Sequence, residues 1–245
     1  MFSKYKGGIA AVVIEPILLE EPQNNFLNEL LLLTQREGAL LVFDEVVTGF
    51  RFAPGGAQEY FGVMPDMAAF GKGMANGMPI AAVVGRADIM NKVSSNIYIS
   101  STFAGETLSL AACIATIREV KEKNVNSHIW ALGKSLQQRT NELAQTIGIM
   151  PYIECIGLPP RLNLVYRDES RADSVELKTL FLQEVVKRGV FLGWNIFMSY
   201  SHTQKDIDYT LEVFREAMLV CREAISNRDI ADRLEGELAR SIDVS

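Results

Sequence analysis

The stretch LLVFDEVVTGFR at Leu40–Arg51 begins with four apolar residues that run directly into two carboxylates. The apolar run is short and partly β-branched, with no polar residue in alternation, which is typical of a central parallel strand buried on both faces. Open α/β sheets bind their ligands at the carboxyl ends of such strands. We therefore expect Asp44 to lie at a strand end and to face a crevice.

A second candidate group, the amine of Lys72, lies 28 positions after Asp44 (72 − 44 = 28). Lys72 stands between Gly71 and Gly73, and flanking glycines let the backbone approach a ligand closely. An acid at a strand end and a lysine in a glycine-rich turn form a pair that could serve one cofactor.

The composition bounds the class of protein. The chain has 245 residues, of which 48% are hydrophobic and 22% are charged, an ordinary globular composition for one large domain or two smaller ones. Its net charge of −6 argues against nucleic acid as the main partner. The first eight residues lack the apolar core of a signal peptide, and no apolar run reaches membrane-spanning length. We expect a soluble, cytoplasmic protein.

Cysteine and histidine usage agrees with that expectation. The three cysteines, Cys113, Cys155 and Cys221, are widely spaced and form no CxxC pair, which indicates reduced thiols in a reducing compartment. With only two histidines, a His-rich metal site is not expected.

The first half of the chain alternates strands with helices. Its opening predicts a βαβ unit, with a parallel sheet and a right-handed crossover as the default. The predicted elements are strands at Ile9–Ile14, Leu40–Asp44, Met67–Phe70 and Ile80–Val84, helices from Phe26 up to Gly38 and at Arg86–Val93, Leu108–Lys123 and Val125–Ile147, a turn at Ala53–Gly56 and a loop at Ser94–Gly105.

The sequence pattern changes after Met150, where proline and glycine residues limit the predicted elements to short segments. The predicted elements there are strands at Leu162–Tyr166 and Val190–Leu192, helices at Val175–Arg188 and Gln204–Ile225, and a charged surface helix with a frayed end over Asn227–Ser245. We therefore predict an α/β fold in two parts, 1–125 with a mostly parallel sheet and 126–245 as a smaller α+β domain.

Each candidate side chain also has an ordinary structural interpretation. Asp44 could cap a following helix or pair with a surface cation, and Lys72 could be a solvated loop lysine. Glu45 is as well suited to a local hydrogen bond as to substrate contact. Thr102 precedes a helix, where hydroxyl and backbone N–H groups can bind a phosphate, but a plain helix cap is the more common arrangement.

Together, several ordered motifs resemble one family, the class III, fold-type I, pyridoxal-phosphate-dependent aminotransferases. The resemblance is nearest to the branch that contains glutamate-1-semialdehyde 2,1-aminomutase. The matching stretches are Ala11–Pro16, Phe43–Arg51, Pro65-Asp66, Gly71–Gly73, Gly77–Pro79, Ser101–Phe103 and, in the second half, Ser201–Thr203.

This resemblance implies a role for each candidate residue and a pyridoxal 5′-phosphate cofactor. Lys72 would form the Schiff base with the cofactor aldehyde and later carry a proton. Asp44 would face the pyridine nitrogen, and Val46 would pack against one face of the ring. Thr102 would bind the phosphate from a neighbouring subunit, which implies a homodimer with shared active sites. Glu15 receives no assigned role.

The chain is short for this family. The resemblance implies a further N-terminal half that carries the rest of the phosphate cup, so we expect a fragment, a truncated product or one half of a split protein. The expected partners are an amino donor and a carbonyl acceptor, with a separate N-terminal half as a further candidate.

The substrate is a second open question. In the aminomutase branch a glutamate lies shortly before the serine-histidine-threonine stretch, whereas Gly193–Tyr200 contains no acid here. The prediction is therefore an aminotransferase that moves an amino group between an amine or amino acid and an aldehyde or keto acid. The alternatives are an aminomutase-type isomerase and a non-catalytic remnant.

Overall fold

The computed structural model describes residues 1–92, 97 and 102–239. Contacts divide the chain into two compact units, Met1–Ser127 and His128–Ser245. The predicted roles of 1–125 as part of a cofactor-binding domain and of 126–245 as a small domain stay predictions. Parts of the loop predicted at Ser94–Gly105 and of the predicted tail helix fall outside the described residues.

The first unit contains a four-stranded sheet in sequence order. Strands β1 (Ala11–Ile14), β2 (Leu40–Glu45) and β3 (Met67–Phe70) are parallel, and β4 (Ala82–Gly85) pairs antiparallel with β3. Helix α1 (Phe26–Glu37) is the crossover between β1 and β2. The sheet is therefore mostly parallel, and the carboxyl ends of β1, β2 and β3 lie at one edge.

One face of this sheet carries the core of the unit. Among the residues that the structure describes, the unit also has α2 (Ala57–Phe61), α3 (Ala87–Met90) and α4 (Thr107–Glu122), and a 3₁₀ turn spans Lys72–Met74. The core cluster joins strand residues to side chains of α1 and α4. Its members include Leu27, Leu41, Phe43, Ala68, Phe70 and Met74, with Leu30, Leu31, Cys113 and Ile117 packed against them.

Burial alternates along β2, which corrects one prediction. Leu41, Phe43 and Glu45 are buried, Val42 is half-buried and Asp44 is exposed. The expected burial of both faces is therefore wrong for this chain, because the described helices pack their apolar side chains against one face only.

The second unit contains an antiparallel three-stranded sheet of β5 (Ile153–Leu158), β6 (Arg161–Tyr166) and β7 (Ile196–Phe197). The division between the units falls within helix α5. Up to residue 239, the helices described in this part of the chain are α5 (Val125–Ile147), α6 (Val175–Lys187) and α7 (Gln204–Asn227), followed by a 3₁₀ turn at Ala231–Arg233.

Two predictions in this unit are wrong. Residues Val190–Leu192 form no strand, because β6 pairs instead with Ile196–Phe197. The predicted tail helix is also absent from the described residues up to 239, because α7 ends at Arg228 in a left-handed conformation (φ 56°). The tail is fastened to α6 by Gln183, whose Nε2 donates to the Arg233 carbonyl at 3.0 Å.

In the part of the chain that the structure describes, none of the helices combines the length and the apolar character that a bilayer crossing requires.

Candidate functional site

Asp44 is the last exposed position of β2, one residue before the strand ends. Its Oδ1 accepts a hydrogen bond from the Val46 backbone N–H at 3.0 Å. This bond orients the carboxylate at the carboxyl edge of the sheet, where a parallel α/β sheet presents its ligand-binding groups.

The neighbouring Glu45 has a structural position. Its carboxylate is fully buried and accepts hydrogen bonds from the Thr48 hydroxyl, from Ala57 N at 2.9 Å and from Gln58 N at 2.7 Å. Of the two interpretations open for Glu45, the structure gives the local hydrogen-bonding one. Glu45 ties the end of β2 to the first turn of α2 and so fixes the loop that follows Asp44.

Lys72 lies two residues beyond the end of β3 and begins the 3₁₀ turn. Its side chain is exposed, and its backbone is in the left-handed region at φ 41°. For a residue with a side chain this conformation costs about 1–3 kcal/mol, and such positions cluster at functional sites. The turn places Lys72 at the same edge of the sheet as Asp44.

The pairing of β2 with β3 brings the candidate residues together. Asp44 is in register with Ala69, and Glu45 is in register with Phe70. Val46 lies beside the turn, since its Cγ1 is 3.6 Å from the point that a Cβ on Gly71 would occupy. Asp44, Val46 and Lys72 therefore form one group at the adjacent ends of two parallel strands.

Close packing of the next loop against β3 supports this group. A Cβ on Gly49 would lie 2.5 Å from Phe70 Cδ1, so only glycine fits there without displacement. The rings of Phe50 and Phe70 pack at 5.6 Å. Asn126 Nδ2 donates to the carbonyls of Phe50 and Arg51, both at 3.0 Å. Sequence reasoning missed Asn126 because a bond across some 75 positions leaves no local pattern.

Hydrogen bonds of Asp66 link the opposite ends of the same strands. Asp66 Oδ2 accepts from Leu41 N at 2.8 Å, and Asp66 Oδ1 accepts from Arg86 Nη1 at 2.7 Å. The Pro65-Asp66 motif thus has a structural reason, because this nearly buried carboxylate joins the start of β2 to the residue that follows β4.

Thr102 is not part of the group on the sheet. It is exposed in the turn before α4, and Ser101 beside it lies outside the described residues. The cap of α4 is Glu106, whose carboxylate accepts from Leu108 N at 2.7 Å and Ser109 N at 2.6 Å. Hydrogen bonds from Ser109 and Leu108 lower the pKa of Glu106. A phosphate at Thr102 would therefore compete with a protein carboxylate for those two N–H groups.

Comparison with known proteins gives a consistent result. The family described as "Aminotransferase class-III" matches residues 1–218. The glutamate-1-semialdehyde 2,1-aminomutase of Acetivibrio thermocellus is 36% identical over 224 residues, which is 86% of this chain and 52% of that protein. The corresponding enzyme of Thermomicrobium roseum is 34% identical over 236 residues, which is 89% of this chain and 54% of that protein. This chain thus spans about half the length of these relatives.

Two solved structures show the same architecture. The internal aldimine form, with PLP, of the Sphingopyxis sp. MTA144 FumI protein superposes with a TM-score of 0.84 at 26% identity, over 92% of this chain and 55% of that one. An omega-transaminase from Sphaerobacter thermophilus superposes with a TM-score of 0.80 at 22% identity, over 90% of this chain and 54% of that one. At that identity the second likeness concerns the fold alone.

Proposed function

Because this chain belongs to the class-III aminotransferase family, we propose that it is the lysine-bearing part of a pyridoxal-phosphate-dependent aminotransferase. Such an enzyme moves an amino group between an amine or amino acid and an aldehyde or keto acid. The observation that carries the proposal is the placement of Asp44 and Lys72 at the adjacent carboxyl ends of β2 and β3.

The residues at this edge fit the cofactor chemically. An exposed amine on Lys72 suits an aldehyde, and a carboxylate held in place by Val46 N suits a protonated ring nitrogen. Val46 offers an apolar side chain next to the turn of Lys72, as the face of an aromatic ring requires.

Each residue then has a task that its own chemistry supports. Lys72 would hold the cofactor covalently through Nζ, and the released amine would carry a proton to and from the substrate carbon that bears the amino group. Asp44 would keep the ring nitrogen protonated, and Val46 would orient the ring. When bound, the cofactor supplies the electron sink for cleavage at that carbon. Thr102 would contribute to phosphate binding in a neighbouring subunit.

Two alternatives keep specific support. The similarity to the aminomutases favours an isomerase that moves the amino group within one molecule. The acid-free segment Gly193–Tyr200 favours transamination instead. The half-length match favours a non-catalytic remnant unless the remaining polypeptide is supplied.

The proposed setting is the cytoplasm, and the proposed assembly is a homodimer with shared active sites. The proposed small-molecule partners are an amino donor and a carbonyl acceptor. A polypeptide equivalent to the N-terminal half of the relatives is the proposed macromolecular partner.

The decisive experiment maps the lysine that reacts with the cofactor. The purified chain is titrated with pyridoxal phosphate, followed by absorbance, then reduced with borohydride and mapped by peptide mass. We expect a saturable adduct on Lys72 that Lys72→Ala abolishes and that Lys6→Ala, at another exposed lysine, leaves intact. An unchanged saturable signal in Lys72→Ala would overturn the assignment. A folded chain with no saturable adduct would favour the remnant.

A further inference from the structure

The antiparallel sheet of the second unit has a gap along the outer edge of β6. In the part of the chain that the structure describes, β7 pairs with β6 only at Arg161 and Leu162. Beyond that point, a cavity of about 290 Å³ lies along β6 where a longer β7 would run. Successive β6 residues such as Asn163 and Leu164, which belong to opposite faces of the sheet, both line this cavity. It therefore lies at the edge of the sheet, and we call it the edge cavity.

Hydrogen bonds of the neighbouring strand β5 establish which backbone groups face the edge cavity. Cys155 lies opposite Leu164 in the sheet. The Cys155 N–H donates to Asn141 Oδ1 at 2.8 Å, and the Cys155 carbonyl accepts from Asn141 Nδ2 at 2.9 Å, so both groups point away from β6. In an antiparallel ladder, the two residues of such a pair both direct their N–H and C=O groups outward. Leu164 therefore presents one donor and one acceptor to the cavity that it lines.

A lysine of helix α6 places a cation in the same cavity. The Lys178 Nζ lies over the Trp194 ring, 3.9 Å from its centroid, and both residues line the cavity. Burial lowers the pKa of Lys178, because it disfavours the charged form of the amine. Among the described residues, the nearby carboxylate of Asp173 acts on this amine without a hydrogen bond to it. A partly desolvated ammonium of this kind is suited to a carboxylate supplied by a ligand.

We propose that the edge cavity binds a small monocarboxylic acid that carries a secondary amide, such as an N-acyl amino acid. The amide pairs with the N–H and C=O of Leu164, as one residue of an added strand does. The carboxylate accepts a hydrogen bond from Lys178, and the carboxylate of Asp173 disfavours a second negative charge on the ligand. Leu182 and Leu192 line the cavity and are suited to an aliphatic side chain.

The size and the place of the edge cavity agree with this ligand. Its volume is close to the lower limit of about 300 Å³ for ligand pockets, which favours a single acylated amino acid over a longer peptide. All the residues that line it belong to the second unit. The site is therefore independent of the aminotransferase chemistry proposed for Asp44 and Lys72.

Nuclear magnetic resonance of the isotope-labelled full chain tests the site, because Trp130 and Trp194 give two indole N–H signals that Trp194→Phe assigns. Titration with N-acetyl-L-leucine should shift the Trp194 signal saturably and leave the Trp130 signal in place. N-acetyl-L-leucine amide, which lacks the carboxylate, should bind at least about tenfold more weakly. The analogue in which an ester oxygen replaces the amide N–H should bind at least about threefold more weakly.

Protein variants separate this site from the rest of the molecule. Lys178→Met, which removes the charge, should bind N-acetyl-L-leucine at least about tenfold more weakly. Lys205→Met, at an exposed lysine of α7, is the matched control and should bind as wild type does. Lys72→Ala should also bind as wild type does, even if the proposed catalytic role of that lysine fails. Far-UV circular dichroism establishes that each variant is folded. The absence of a saturable Trp194 shift in the wild-type chain, or equal binding by Lys178→Met and wild type, would overturn the proposal.

Discussion

The buried carboxylate of Glu45 satisfies three donors in the loop that positions Asp44. Glu45→Ala would leave the Thr48 hydroxyl and two backbone N–H groups without this partner. We expect the free energy of unfolding to fall by about 3 kcal/mol, because buried donors without acceptors cost about 1–3 kcal/mol each and relaxation recovers part of that cost. Urea denaturation measures the change.

Thr48→Val is the control for that prediction, since it removes one of the three donors and leaves the two backbone bonds in place. Its cost should be near 1 kcal/mol. A loss below about 0.5 kcal/mol in Glu45→Ala would contradict the anchoring role, because this is the range of surface substitutions.

The three thiols should differ sharply in reactivity. Burial raises the pKa of Cys155 and of Cys221 to about 12, whereas Cys113 is only partly buried. A thiol with a raised pKa stays protonated below that value, so at pH 8 roughly one molecule in 10⁴ carries the thiolate at either buried position. A thiol-disulfide reagent should therefore label one cysteine quickly in the native chain and all three after denaturation.

Cys113→Ser should abolish the fast reaction, and a rise from pH 7 to pH 9 should not bring in the other two while the chain is folded. Two fast thiols in the native protein would show that the environment of Cys155 or Cys221 is more open than the structure indicates.

At the scale of elements, helix α5 passes very close to the turn between β5 and β6. A Cβ on Gly133 would lie 1.9 Å from the Pro159 carbonyl oxygen, a contact that the backbone cannot accommodate without moving. Helix propensity alone would make Gly133→Ala stabilising by about 1 kcal/mol. We expect the opposite sign, a loss of about 2 kcal/mol or more in thermal or urea unfolding, because overpacking prevails.

Ala131→Gly, at an exposed position two residues earlier on α5, gives the propensity term by itself and should cost about 1 kcal/mol. A stabilised Gly133→Ala variant would mean that the helix and the turn are further apart than described.

Elements with a strong apolar pattern were predictable from the sequence, and the predicted family and fold-type I architecture are confirmed. The predicted helix at Val125–Ile147 has the observed bounds. Elements that depend on distant partners were not predictable. Helix α2 has five residues and is capped by Glu45, and β5 continues through Gly157, which has a positive φ of 98°.

In the candidate site, too, some features were predictable from the sequence and others were not. The positions of Asp44 and Lys72 follow from the rule that ligand groups lie at strand ends, and their roles stay predictions. The helix cap supplied by Glu106 in place of Thr102 depends on the local turn geometry, and the Asn126 bonds depend on the tertiary fold.

At the scale of the whole molecule, each of the two units has its own sheet and its own buried side chains. Glu45 belongs to the first and Gly133 to the second. Since distant sites without shared partners act independently, the effects of Glu45→Ala and Gly133→Ala should add within about 0.5 kcal/mol, or should shift two separate unfolding transitions. Calorimetry of the single and double variants distinguishes these outcomes. A coupling above about 1 kcal/mol would show that the two sites are energetically linked.

The positions of Asp44 and Glu45 make β2 more sensitive to a one-residue deletion than to a point substitution. Two adjacent carboxylates point to opposite sides of β2, one toward the sheet edge with its exposed chemistry and one into the interior as an anchor. Deletion of Leu40, at the start of β2, would shift the register by one residue, exchange their sides and turn Leu41 and Phe43 outward as well. Point substitutions can test each carboxylate separately, whereas a one-residue deletion would remove the candidate reactive group, the anchor and the core packing together.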